Sequence, residues 1–297
     1  MKNFRYLQPE SLNEALQILH EHAGDAKVLA GGQSLLILMR EGLVQPEIVV
    51  GLSRLSGMNG IELDAAARMV TIGALATHRQ IELSPLIRAH LPLLAEAYRN
   101  LGSVQVRNLG TLGGNLCHNA PGSDPPTALV ALGARVTVQR RDPGDSSASS
   151  KRGLPLEEFG SYYYETVLAE DELLTVVHIP LPPAHAGSAY HKIAPRPSDI
   201  PFVGAAALVV LEADGRTCAD VRIALGGVAP TTVRSRSAES TLLGQELSDA
   251  LIAGAGDAAV ADTDPISDTN ASAQYRRDLV PIAVRRVVTL ARQRALA

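Results

Sequence analysis

Leu12, Ala15, Leu16 and Leu19 recur at the spacing of one helix face, and Ser11 with Glu14 stands where a capping box would satisfy two free backbone N–H groups. The apolar run Lys27-Val28-Leu29-Ala30 then predicts a strand that enters the turn Gly31-Gly32-Gln33-Ser34. Leu35 to Met39 reads as the helical turn that follows, and Ile48-Val49-Val50 as a buried strand. Strand, glycine turn, helix and strand in this order make a compact α/β unit, which can place backbone N–H groups around a phosphate.

Alternation from Ile61 to Ile72 predicts a hairpin that turns at Asp64-Ala65-Ala66-Ala67. Helical spacing follows over Thr77–Leu83 and Pro92–Arg99, the second opened by a proline at a favourable first position. Between Ser103 and Asn115 lies a second glycine turn, Gly113-Gly114, read like the first as following a strand. A polar loop leads to Pro125-Pro126, Thr127–Leu132 is predicted helical, and Arg135–Val138 a strand. Arg140–Gly153, with its serines, glycines and mixed charge, reads as a surface hairpin tip. A strand over Leu173–Ile179 stops at Pro180-Leu181-Pro182-Pro183, where neither ladder nor helix can continue. Beyond it, three strands (Ala189–Ile193, Phe202–Leu211, Ala219–Leu225) precede helical patterns around Ala238–Leu251, Gly256–Ala261 and Ala271–Arg294. Strands then helices predict an α+β layer there.

Composition narrows the function. A chain of 297 residues is long enough for about two domains, and 46% hydrophobic with 20% charged residues is globular. With 27 basic against 31 acidic residues the net charge is −4, so no basic field exists to attract nucleic acid or anionic lipid. Aromatic residues are only 3% and Trp is absent, so the core must be built from Leu, Val, Ile and Ala, and a base-stacking platform has almost no material. Two cysteines, Cys117 and Cys218, cannot by themselves ligate an iron–sulfur cluster or close a zinc site. Met1–Tyr6 has no apolar signal core and no stretch is long enough to span a membrane, so a reducing, cytoplasmic setting is expected.

Candidate chemistry concentrates at the two glycine segments. Consecutive glycines in Ala30-Gly31-Gly32-Gln33-Ser34 let a backbone approach a pyrophosphate, and Ser34 adds a hydroxyl; a purely structural turn fits the same letters. Neither a Gly-x-Gly-x-x-Gly fingerprint nor a P-loop lysine is present. Thr111-Leu112-Gly113-Gly114-Asn115 repeats the pattern, so two turns could clasp one diphosphate from two sides, or could be unrelated. His118 and Asp124 share a loop without a third partner at ligand spacing, which favours a loop held by backbone or ribose hydrogen bonds over a metal or general-base site. Tyr162-Tyr163-Tyr164 reads as packing, and Arg285, Arg286, Arg292 and Arg294 as a solvated helix face. No catalytic residue and no metal ligand is assigned.

Six segments occur in one order: Ala30 to Leu36, Thr111 to Asn115, Ser123-Asp124-Pro125-Pro126, Leu173-Leu174 with Ile179-Pro180, Tyr190-His191-Lys192, and Gln274-Tyr275-Arg276-Arg277. Together they resemble the FAD-binding medium subunit of the molybdenum hydroxylases, the carbon monoxide dehydrogenase and xanthine dehydrogenase family. The resemblance implies an α+β chain with a PCMH-type FAD-binding fold: lobes at 1–58 and 59–180 that clasp FAD, and a C-terminal domain of antiparallel sheet and helices at 181–297. It implies cofactor contacts from Val28, Leu29, Ala30, Gly31, Gly32, Gln33, Ser34 and Leu35, from Gly110, Thr111, Leu112, Gly113, Gly114 and Asn115, and from Asp124, Leu174 and Lys192. It further implies a small subunit with two [2Fe-2S] clusters and a large subunit with a molybdopterin cofactor, as a dimer of heterotrimers, so that this chain passes electrons to an external acceptor. Ile200 stands where some relatives place a tyrosine against the flavin, and Gln33 where some have His or Thr. The competing readings are a self-contained PCMH-type flavin oxidase and a non-catalytic subunit that has lost its cofactor.

Overall fold

The computed structural model describes residues 2–99, 101–142 and 148–297. Its first unit runs β1 (Arg5–Leu7), α1 (Leu12–Glu21), β2 (Ala26–Leu29), α2 (Leu35–Arg40) and β3 (Ile48–Gly51). β3 lies between β1 and β2 and pairs parallel with both, with α1 and α2 in the crossover connections that parallel pairing requires. Ser11 caps α1 by accepting from the Glu14 N–H, while the Glu14 carboxylate accepts from Glu10 N–H at 2.7 Å, one residue outside the predicted box. Ala15, Leu16 and Leu19 are buried as their spacing requires.

The second unit begins with the hairpin β4 (Ile61–Asp64) and β5 (Met69–Gly73), followed by a run of short helices: α3 (His78–Leu83), α4 (Pro85–His90), α5 (Pro92–Arg99), α6 (Val104–Leu109), α7 (Leu112–His118) and α8 (Asp124–Ala131). Then come β6 (Arg135–Arg141), β7 (Ser149–Pro155), the small pair β8 (Gly160–Tyr162) and β9 (Glu165–Thr166), and β10 (Leu173–Pro180). The order β4-β5-β10-β6-β7 is antiparallel throughout. The expected hairpin at 140–153 is β6–β7, with residues 143–147 outside the described residues.

One expectation fails here. The second glycine pair does not follow a strand; it lies in the first turn of α7, and the segment before it is α6. The reason is capping: the Ser103 hydroxyl accepts from Val106 N–H and the Thr111 hydroxyl from Gly114 N–H, and each nucleates a helix, the first of which the Val-x-Val alternation hides. α8 is buried along its whole length and is the central post of the molecule.

The C-terminal domain contains β11 (Ala186–Ile193), β12 (Val203–Leu211), β13 (Cys218–Gly226) and β14 (Val233–Arg234), then α9 (Arg236–Leu242), α10 (Asp249–Ala258) and α11 (Ala273–Ala295). The strands form an antiparallel sheet in chain order. The single helical pattern over Ala238–Leu251 is two helices, parted near Gly244, which has φ +72°. One sheet face, with Ala205, Ala207, Val209, Ile223 and Leu225, makes a core with α9, α10 and α11. The opposite face carries Tyr190, Gly204, Ala206, Ala224 and Gly226, and packs on α5 and α8. Its small residues let α8 approach: a Cβ on Gly226 would overlap the Thr127 hydroxyl. Among the described residues no helix is long and apolar enough to cross a membrane.

Candidate cofactor cleft

A cleft of about 710 Å³ opens between the two N-terminal units and is closed on one side by Ser198, Asp199 and Ile200 of the β11–β12 loop. That volume falls within the roughly 300–1,000 Å³ typical of cofactor sites. The expected residues from Val28 to Leu35 line it, as do Gly110, Thr111, Gly113, Gly114, Asn115, Asp124 and Leu174. Leu112 and Lys192 are not in its lining: Leu112 is wholly buried, and the Lys192 ammonium is bound to Asp124.

The first glycine segment is shaped to leave donors unused. Gly31 lies against the backbone of Leu109, where any Cβ would overlap the carbonyl oxygen. Gly32 takes φ +70°, a conformation that costs an L-residue roughly 1–2 kcal/mol. The Gln33 side chain donates to the Gly31 carbonyl at 3.2 Å and stiffens the turn. Among the described residues, none of the backbone N–H groups from Gly31 to Leu35 has a protein acceptor. Backbone donors with no acceptor, lining a cleft, are a row of positive dipole ends suited to an anion.

The second segment spends its donors on the fold. Gly110 N–H goes to Val106 O, Leu112 N–H to Ala76 O at 2.9 Å, Gly113 N–H to Ala74 O at 2.8 Å and Asn115 N–H to Thr111 O. Gly110 O in turn accepts from His78 N–H, which stitches the segment to the start of α3. Gly113 is small because a Cβ there would lie 2.7 Å from that of Ala74. What this segment offers the cleft is the Thr111 N–H and the side chains of Thr111 and Asn115. The Asn115 Oδ1 accepts from the Ser123 hydroxyl at 2.8 Å, which assigns its amide group as donor.

Asp124, at the start of α8, is buried with both carboxylate oxygens engaged: Tyr190 Oη–H donates to Oδ1, and Lys192 Nζ to Oδ2 at 3.1 Å. Burial raises its pKa above the ordinary carboxylate value, against the pull of Lys192 and Tyr190. Glu172, also lining the cleft, is gripped by Arg152 through two bonds of 2.7 and 2.6 Å, which hold its pKa below the usual range. His78 is buried against Tyr98, and burial, helped by the Arg107 charge, lowers it to about 4; the ring is neutral at physiological pH. Cys117 is pushed up to about 12 by burial, so it is a thiol and not a nucleophile. Among the described residues no cluster of three or more His, Cys, Asp or Glu is placed to hold a metal.

Residues 2–182 match the family described as FAD binding domain in molybdopterin dehydrogenase, and residues 188–291 match CO dehydrogenase flavoprotein C-terminal domain. The chain belongs to the FAD-binding medium subunits of the molybdenum hydroxylases. It is 34% identical to the carbon monoxide dehydrogenase medium chain of Hydrogenophaga pseudoflava, over 97% of this chain and 96% of that one. It is 37% identical to the nicotine 6-hydroxylase medium subunit of Paenarthrobacter nicotinovorans, over 96% and 95%. The solved carbon monoxide dehydrogenase of H. pseudoflava superimposes with TM-score 0.92, covering 99% of this chain and 98% of that one at 34% identity. The chain is therefore an oxidoreductase subunit of α+β architecture.

The cleft of this flavoprotein fits the group its family implies. FAD carries a diphosphate with two negative charges, and the unused N–H groups from Gly31 to Leu35 are the donor set such a group requires. Leu29, Leu35, Leu38 and Leu174 supply apolar walls for flat rings. Several residues of this arrangement escape a reading of the sequence. Tyr190 sits inside a recognised motif but shows its role only when the C-terminal sheet packs on α5 and α8. Glu172 precedes the Leu173-Leu174 motif, yet its partner Arg152 is on another strand. His78 carried no motif signal.

Proposed function

We propose that this chain is the FAD-carrying electron outlet of a cytoplasmic molybdopterin hydroxylase. Electrons arrive from the [2Fe-2S] clusters of a small partner subunit and leave to an external acceptor, while substrate is hydroxylated at a molybdopterin cofactor on a large subunit. The assembly is a dimer of heterotrimers. Two observations support this reading: the row of unused backbone donors along the cleft, and a thiol inventory of two cysteines that cannot ligate the clusters.

Bound FAD supplies the exchange between two-electron and one-electron chemistry. The protein's own part is to bind, orient and exclude. Lobes at 1–58 and 59–180 enclose the cofactor, and the domain at 181–297 adds a wall. Gly31 to Leu35 donate N–H groups to the diphosphate, with Val28, Leu29 and Ala30 beneath them. Thr111 and Asn115 add side-chain donors from the other lobe, and Gly110, Leu112, Gly113 and Gly114 keep that lobe close. Asp124 and Leu174 face the cofactor, and Lys192 sets the charge behind Asp124. No side chain acts as a nucleophile, in keeping with a neutral His78 and a protonated Cys117.

Purification of the chain with its partners tests this directly. A yellow-brown complex that contains molybdenum, iron and FAD is the expected result. A stable lone chain that takes up no FAD would overturn it.

A further inference from the structure

Tyr190 belongs to the C-terminal domain but is held by the FAD-binding part at both ends. Its backbone N–H donates to Glu96 Oε2 on α5 at 3.0 Å, and Glu96 is itself paired with Arg294 of α11. Its hydroxyl donates to Asp124 Oδ1. The other Asp124 oxygen accepts from Lys192, two residues along the same strand, and the Lys192 ammonium also donates to the Asp199 carbonyl at 3.1 Å. Asp124 and Asp199 line the cleft; Tyr190 and Lys192 stand behind them. Room for the phenol is built in: its register partner is Ala206, and a Cβ on the neighbouring Gly204 would come within 3.2 Å of the hydroxyl. A carboxylate with each oxygen bound by a donor from one rigid strand cannot turn without breaking a charge-assisted bond.

We propose that Tyr190 is a positioning residue for the cofactor cleft. With Lys192, which also donates to the Asp199 carbonyl of the Ser198–Ile200 wall, it holds the Asp124 carboxylate in one orientation and so sets how tightly FAD is retained. The proposal rests on the FAD reading above and assigns the C-terminal domain a direct part in cofactor retention.

FAD titrated into the flavin-stripped full-length chain, followed by quenching of flavin fluorescence, tests it in wild type, Tyr190→Phe, Asp124→Asn and the double variant. Loss of one hydrogen bond to a charged group predicts about tenfold weaker binding for Tyr190→Phe. Because the effect runs through Asp124, the double variant binds within about twofold of Asp124→Asn alone. Wild-type affinity in Tyr190→Phe, or losses that multiply in the double variant, would overturn the proposal. If Tyr190→Phe does not fold, Gly204→Ala, which crowds the hydroxyl without removing it, replaces it in the same cycle with the same two outcomes. A folded wild-type chain that takes up no FAD overturns the proposed function and this proposal with it.

Discussion

The two glycine segments are written in nearly the same letters and are used in opposite ways. Gly31-Gly32 keeps its surrounding N–H groups free by adopting a turn in which one residue has positive φ. Gly113-Gly114 lies in a helix whose N–H groups are taken by Ala74, Ala76 and Thr111, and its glycines allow close packing. A glycine pair therefore marks a place where backbone comes close to something, and the hydrogen-bond inventory decides whether that something is a ligand or the rest of the fold.

The sharpest way to break this contrast is to fill the glycines that separate backbone from backbone. Gly31→Val forces a side chain into the Leu109 carbonyl, and Gly113→Val one into Ala74; each is expected to cost about 3 kcal/mol or more in stability, read as a lowered denaturation midpoint. If Gly113→Val keeps wild-type stability and loses only flavin, the second segment is a ligand turn after all.

Next in size is His78, whose backbone N–H holds Gly110 O and whose ring, a separate group, is buried against Tyr98. The ring titrates at 6.5 when exposed and at about 4 in the fold. A depressed value means its contribution is complete above pH 6.5 and drains away as pH falls towards 4, an effect of up to about 3 kcal/mol. His78→Leu should flatten the acid limb of the stability curve across that window; an unchanged limb would disprove the assignment.

Smaller again, Gly32→Ala strains the turn by roughly 1–2 kcal/mol, since the new Cβ meets only the flexible end of Leu36 at 2.9 Å. It should weaken FAD binding about tenfold with little loss of stability, the reverse of Gly113→Val. Smallest is Thr111→Val, which removes the α7 cap at about 1 kcal/mol together with a cleft hydroxyl. Thr111→Ser, which keeps both, should restore melting temperature and affinity together.

The first unit was readable because its signals are local. The stripe of Leu12, Ala15, Leu16 and Leu19, the Ser11 cap and the run into Gly31 each depend on neighbours a few residues away. The α6–α7 region misled because Val104-Gln105-Val106 alternates like a strand, and only the caps at Ser103 and Thr111 reveal helices. α11 was legible despite Pro281 in its interior, because packing on the C-terminal sheet outweighs the lost hydrogen bond.

By itself the sequence determined the α+β class, the positions of the glycine segments, the family through six ordered motifs, and the absence of thiolates for a cluster. Only the tertiary structure decided which glycines free a donor and which free a contact, that Arg152 neutralises Glu172, and that Asp124 is shared by Tyr190 and Lys192 from another domain. Those facts depend on pairings between residues far apart in the chain, such as Lys192 with Asp124, 68 positions away, brought together where the C-terminal sheet packs on α8, and a local pattern carries no information about them.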